Sequence, residues 1–192
     1  MSTARWMSRI AVAFAMGCLL VACGEQGEIL KDYAVGDKSE EEVTFLNDRF
    51  GVLKPEGWVI MDDLHDGAAI GMGNPLREAY MVSITESAED FDAMTVEEHS
   101  ELTRQSISES LQNYAEDGPY EVTTASGVRG VSYQLTGSFE RINIVYNHVT
   151  LGTEDHFHQV LLWSIKSRYA SNEADFDRVV ESFNEKYITL RE

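Results

Sequence analysis

The chain reads as an α+β domain, an antiparallel sheet of roughly eight strands with two main helices packed on it. Three observations carry that reading. Short runs of alternating apolar and polar residues are divided by Gly, Pro, Asn and Asp, the pattern of half-buried strands and their turns. The apolar period changes from 2 to 3.6 once in mid-chain and once near the C-terminus. Most of the strands follow one another across tight turns, so neighbours run antiparallel and the helices sit apart from them. With 43% hydrophobic and 10% aromatic residues, the chain has the material for a core.

The elements follow in order. Residues 42–46 and 50–53 form a hairpin around Asn47-Asp48-Arg49. Pro55-Glu56-Gly57 is a turn, and 58–61 reads as a strand. A loop at 62–67 leads to a strand at 68–72, closed by Gly73-Asn74-Pro75, and 80–85 alternates again. Thr95 to Glu98 then fits a capping box. Val96, His99, Thr103, Ile107, Leu111 and Tyr114 recur at helical spacing, which predicts a helix over 95–114 ended by Glu116-Asp117-Gly118-Pro119. Strands are expected at about 120–125, 128–138, 141–151 and 156–166. The last of these holds Leu161-Leu162-Trp163, apolar on both faces, so Trp163, Trp58 and Phe157 read as core. Phe176, Val179, Val180 and Phe183 stand at i, i+3, i+4 and i+7, an amphipathic helix over 171–185.

The first 22 residues stand apart. Arg5 and Arg9 precede an apolar run from Ile10 to Val21, with no acid anywhere in the segment. A basic start, a short apolar run and small residues at a cut site make a secretory signal. The run falls short of the ~20 apolar residues that a spanning helix needs. Its end, Leu20-Val21-Ala22-Cys23, resembles the lipobox of bacterial lipoproteins. The resemblance implies that Cys23 is lipidated through its sulfur, becomes the new N-terminus and is acylated there. The other reading is an ordinary signal cut nearby, which leaves Cys23 a bare thiol. Cys18 leaves with the signal, so Cys23 is the one cysteine of the mature chain and no internal disulfide can form. Gly24 stands where an Asp would be the inner-membrane retention signal of a Gram-negative lipoprotein, so the resemblance points to the outer membrane, facing the periplasm. Residues 23–40 then read as the lipidated cysteine and a flexible tether, and 41–192 as the domain.

Charge argues against two kinds of partner, nucleic acid and an anionic lipid surface on which the domain would lie flat. The net charge is −18, and removal of a leader holding two arginines and no acid takes it to −20. Nucleic acid needs clustered Lys and Arg, so it is not an expected partner. The acids are scattered, as in a solvated coat that keeps a domain soluble. An acidic patch for a basic partner or for Ca²⁺ is the sharper alternative.

Phe50-Gly51-Val52, then Lys54-Pro55-Glu56-Gly57-Trp58, a long helix, consecutive long strands and a closing helix with Phe183 resemble the PsbP-like fold. The group includes DcrB-like envelope lipoproteins, and the resemblance covers about residues 42–186. It implies α/β/α layers, and a role as an extrinsic subunit or assembly factor of a membrane complex, without assigned chemistry. Fold alone sets no function. Pro55, Gly57 and Trp58 carry the motif and are expected to shape a turn and fill the core.

The residues most suited to chemistry are His148, His156 and His158. Alternate residues of a strand share a face, so His156 and His158 point the same way. A turn centred on Thr153 sets His148 opposite His158 and Thr150 opposite His156. Three imidazoles so placed are a set that binds Zn²⁺, Cu²⁺ or Ni²⁺. The same residues also fit paired or solvated positions at a sheet end. His65 with Asp62, Asp63 and Asp66 makes a second cluster, without the EF-hand pattern. No nucleophile elbow, phosphate loop or dinucleotide fingerprint is present. The sequence therefore predicts a non-enzymatic, membrane-anchored lipoprotein that binds a protein partner in the cell envelope and needs no cofactor. The alternative is a metal- or small-ligand-binding protein using the three histidines.

Overall fold

The computed structural model describes residues 39–186. The leader, Cys23 and the tether as far as Lys38 lie outside them. Thirteen elements follow in order: β1 (Glu41–Phe45), β2 (Phe50–Lys54), β3 (Val59–Ile60), β4 (Ile70–Asn74), β5 (Ala79–Ser87), a 3-10 turn (Ala88–Phe91), α1 (Val96–Ser110), β6 (Gln112–Thr123), β7 (Arg129–Phe139), β8 (Ile142–Gly152), β9 (His156–Ile165), α2 (Tyr169–Ser182) and β10 (Asn184–Glu185). Seven strands form one sheet in the order β3-β4-β5-β9-β8-β7-β6, and β1-β2-β10 form a small second sheet. Every pairing is antiparallel. Two helices on antiparallel sheet are what the sequence predicts, with ten strands in place of roughly eight. The one strand that the sequence does not predict, β10, is two residues long, and the strand expected at 58–61 is paired only at Val59–Ile60.

The large sheet has a helix on each face, because the pleat sends alternate side chains to opposite sides. Val149 pairs with Val160 and Leu151 with His158. Their face packs against α2 and the small sheet, in a core with Phe50, Trp58, Phe176, Val179 and Phe183. His148 pairs with Leu161 and Tyr146 with Trp163. That opposite face packs under α1, with Ile107, Leu135, Ile144 and Val82. Trp58 and Phe157 are buried as expected, whereas Trp163 is only half-buried and stacks on Tyr80.

The helix α1 begins as the sequence predicts. The Thr95 hydroxyl accepts from the Glu98 N–H at 3.2 Å, and the Glu98 carboxylate accepts from the Thr95 N–H at 2.8 Å. It ends earlier than expected, at Ser110, because Leu111 takes an extended backbone and 112–123 pairs with β7. Glu116-Asp117-Gly118-Pro119 is therefore no helix terminator. It lies inside β6, where the Gly118–Pro119 peptide is cis and the register shifts between Asp117 and Tyr120. Sheet pairing here overrides a helical phase that ran on to Tyr114. Glu40, expected in the tether, already pairs with Arg178 of α2. Among the described residues no helix is long and apolar enough to cross a membrane.

Candidate functional site

The three histidines hang on the β8–β9 hairpin. Its last pair is Gly152 with Phe157, and the Thr153 N–H donates to the His156 carbonyl at 2.9 Å. Thr150 faces Gln159 and His148 faces Leu161, a register three residues away from the expected one. An odd displacement exchanges faces. The structure therefore brings His156 and His158 together, with ring centroids 5.9 Å apart, and puts His148 on the other side of the sheet. The three-imidazole site is not formed. Among the described residues no group of three His, Cys, Asp or Glu side chains is placed to hold a metal ion. The second cluster is a surface loop: Asp62, Asp63 and Asp66 are exposed, and His65 Nδ1 accepts from the Gly67 N–H at 3.0 Å.

His158 is part of the core. Its ring lies 4.4 Å from Phe50 and 4.8 Å from Phe183, and Nδ1 is 3.0 Å from the Thr85 hydroxyl. Burial, with His156 and Arg49 adding to it, pushes its pKa down to about 3. His156 sits nearer the surface, and burial and Arg49 lower its pKa as well. Above them Arg49 joins three strand ends, reaching Asp155 at 2.9 Å and Glu185 at 2.8 Å. Beside this knot lies a shallow cavity of about 300 Å³ among the β6–β7 turn, the β8–β9 turn and β10. Its lining is polar, with Ser126, Arg129, Glu154 and Glu185.

His148 belongs to a polar layer between α1 and the sheet. Its Nε2 is 2.9 Å from the Thr103 hydroxyl, and burial, with Arg104 adding to it, pushes its pKa down to about 3. Toward the rim, His99 Nε2 lies 3.1 Å from Glu86, and Gln159 donates to the same carboxylate oxygen at 2.6 Å. Burial works to raise the Glu86 pKa, but these two hydrogen bonds outweigh it and hold the carboxyl below its ordinary value. His99 is fully buried and stacks on Phe157 at 4.5 Å. The buried His99 ring is thus oriented by Glu86, whose carboxylate stays partly exposed at the rim. The sequence marks this layer only faintly: His99 and Thr103 fall on the apolar phase of a helix, and Glu86 on the apolar phase of a strand.

No family model matches the chain, and no curated protein matches it. Solved structures do. The cyanobacterial PsbP of Synechocystis sp. PCC 6803 superposes with a TM-score of 0.56 at 16% identity, covering 87% of this chain and 99% of that one. The Ran-binding protein Mog1p of Saccharomyces cerevisiae gives 0.55 at 10% identity, over 78% of this chain and 96% of that one. LpqN of Mycobacterium tuberculosis, involved in cell envelope biogenesis, gives 0.55 at 12% identity, over 76% and 90%. At such identities the likeness is one of fold: the domain has the PsbP-like α+β architecture that its opening around Trp58 resembles.

Proposed function

We propose that the chain is a non-enzymatic envelope lipoprotein, held to a membrane by lipid on Cys23, whose domain binds a protein partner as an accessory or assembly subunit. The membrane is the outer one, with the domain in the periplasm. The observation that carries the partner reading is the outer edge of β6, which pairs with no strand among the described residues. Twelve residues long, exposed along almost its whole length, it bears Asp117 and Glu121, besides Glu116, which Arg104 of α1 pairs. Long edges invite pairing with other chains, and bulges, proline and like charge blunt pairing with a second copy. A basic partner meets no such repulsion. Two proteins sharing the fold lend support by what they do: Mog1p binds Ran, and LpqN is involved in envelope biogenesis. The metal-binding alternative is not favoured, because His148 does not share a face with His156 and His158.

The test is a photo-crosslinking residue in place of Tyr120, which is 50% exposed on that edge, activated in intact envelopes. We expect one discrete protein product, lost when Asp117 and Glu121 are changed to Lys. A yield no greater than from the same residue at Leu76, exposed at the opposite side of the large sheet, would overturn the reading.

A further inference from the structure

We propose that the sheet end built from the β7–β8 and β9–α2 turns is the membrane-facing end of the domain, and that its partner is an anionic phospholipid surface. The proposal rests on the lipid-tether reading above. It starts from which cations are neutralised. Arg49, Lys54, Arg77, Arg104, Arg178 and Lys186 each hold a carboxylate. Arg129, Arg141, Lys166 and Arg168 have no ion pair among the described residues, and all four are exposed.

Three of those four meet at one place. The Lys166 N–H donates to the Asn143 carbonyl at 2.9 Å, and Ile144 pairs with Ile165. The Arg168 N–H turns back to the Ile165 carbonyl at 2.9 Å. Arg141, two residues before Asn143, therefore shares an end of the sheet with Lys166 and Arg168. Half-buried Phe139, Ile142 and Ile165 stand beside them. Glu140 and Glu78 lie at the rim without pairing to any of the three, and the first turn of α2 carries no acid. The opposite end carries Glu154, Asp155 and Glu185 with Arg129 beside them, and the side edge carries the acids of β6.

In a chain of net charge −18, this end gathers three exposed cations that no carboxylate pairs among the described residues. At physiological salt only charges within about 8 Å of a surface feel it, so the whole-molecule charge does not decide the contact. A tethered acidic domain is turned by an anionic bilayer until its carboxylates face away and its unpaired cations face the headgroups. The 15 residues from Gly24 to Lys38 reach about 50 Å at full extension, so the attachment allows either end to approach.

The test uses the natural, full lipidated chain in vesicles of phosphatidylcholine alone or mixed with phosphatidylglycerol. A water-soluble amine reagent labels Lys166, with Lys186, near the opposite end and 37% exposed, as internal reference. We expect anionic lipid to slow Lys166 labelling about fivefold relative to Lys186, high salt to erase the difference, and Arg141→Gln with Arg168→Gln to reduce it. Equal rates in both vesicles would overturn the proposal. Acyl mass on Cys23 is read from the same digest. With that mass present and no protection of Lys166, the face fails while the tether stands. With no acyl mass, the tether reading fails, and protection of Lys166 by vesicles added to the chain decides the face by itself.

Discussion

His148 and His158 are neutral by burial, and that makes a pH dependence at the scale of single residues. In the unfolded chain each imidazole takes up a proton near pH 6.5. In the fold each resists until about pH 3. Between those values the unfolded state binds more protons, so stability falls as pH falls, by up to about 1.4 kcal/mol per pH unit for each histidine. Above pH 6.5 they add no slope. Urea midpoints at pH 7.5, 6 and 5 are expected to decline, with a shallower decline in His158→Gln; an unchanged slope in that variant contradicts the assignment. The fates of these residues show what the sequence can and cannot carry. That His156 and His158 share a face follows from a strand's fixed period of two. Where His148 lies depends on the register across a turn, and this turn centres between Glu154 and Asp155, not on Thr153, which shifts the register by three residues.

At the scale of elements, α1 is the clearest case of a boundary written in the chain and of one overruled by packing. Its start is local: Thr95 and Glu98 satisfy each other's backbone groups without help from the rest of the fold. Thr95→Ala removes one of those bonds and is expected to cost about 1 kcal/mol in chemical denaturation, with spectra of the folded protein unchanged. A cost near zero would mean that the box is ornamental. The helix end is not local. Leu111 and Tyr114 keep a helical phase, but β7 offers the segment from Gln112 a long ladder, interrupted by two register shifts, and the chain leaves the helix to take it. The same competition hid the two-residue strand β10, which exists only because β2 presents Gly51 and Phe50 to it. The polar layer under α1 escaped notice for another reason. Its members sit at apolar phase positions, and their burial depends on pairings such as His99 with Glu86 that link distant elements.

For the whole molecule, the layer order was legible because two helical periods and a run of hairpins leave few ways to bury both faces of one sheet. Charge was legible only as a total. Its distribution, with three unpaired cations at one sheet end and acids at the opposite end and along β6, needs the topology. The cationic end works beside a membrane and the acids of β6 on an envelope partner, so the attachment at position 23 is the claim on which the functional account stands. Intact mass of the natural protein, with sequencing of its first peptide, tests it most directly. The account predicts a chain that begins at Cys23 and carries acyl mass on that residue. A free Cys23 thiol, or a chain that still begins at Met1, would contradict it.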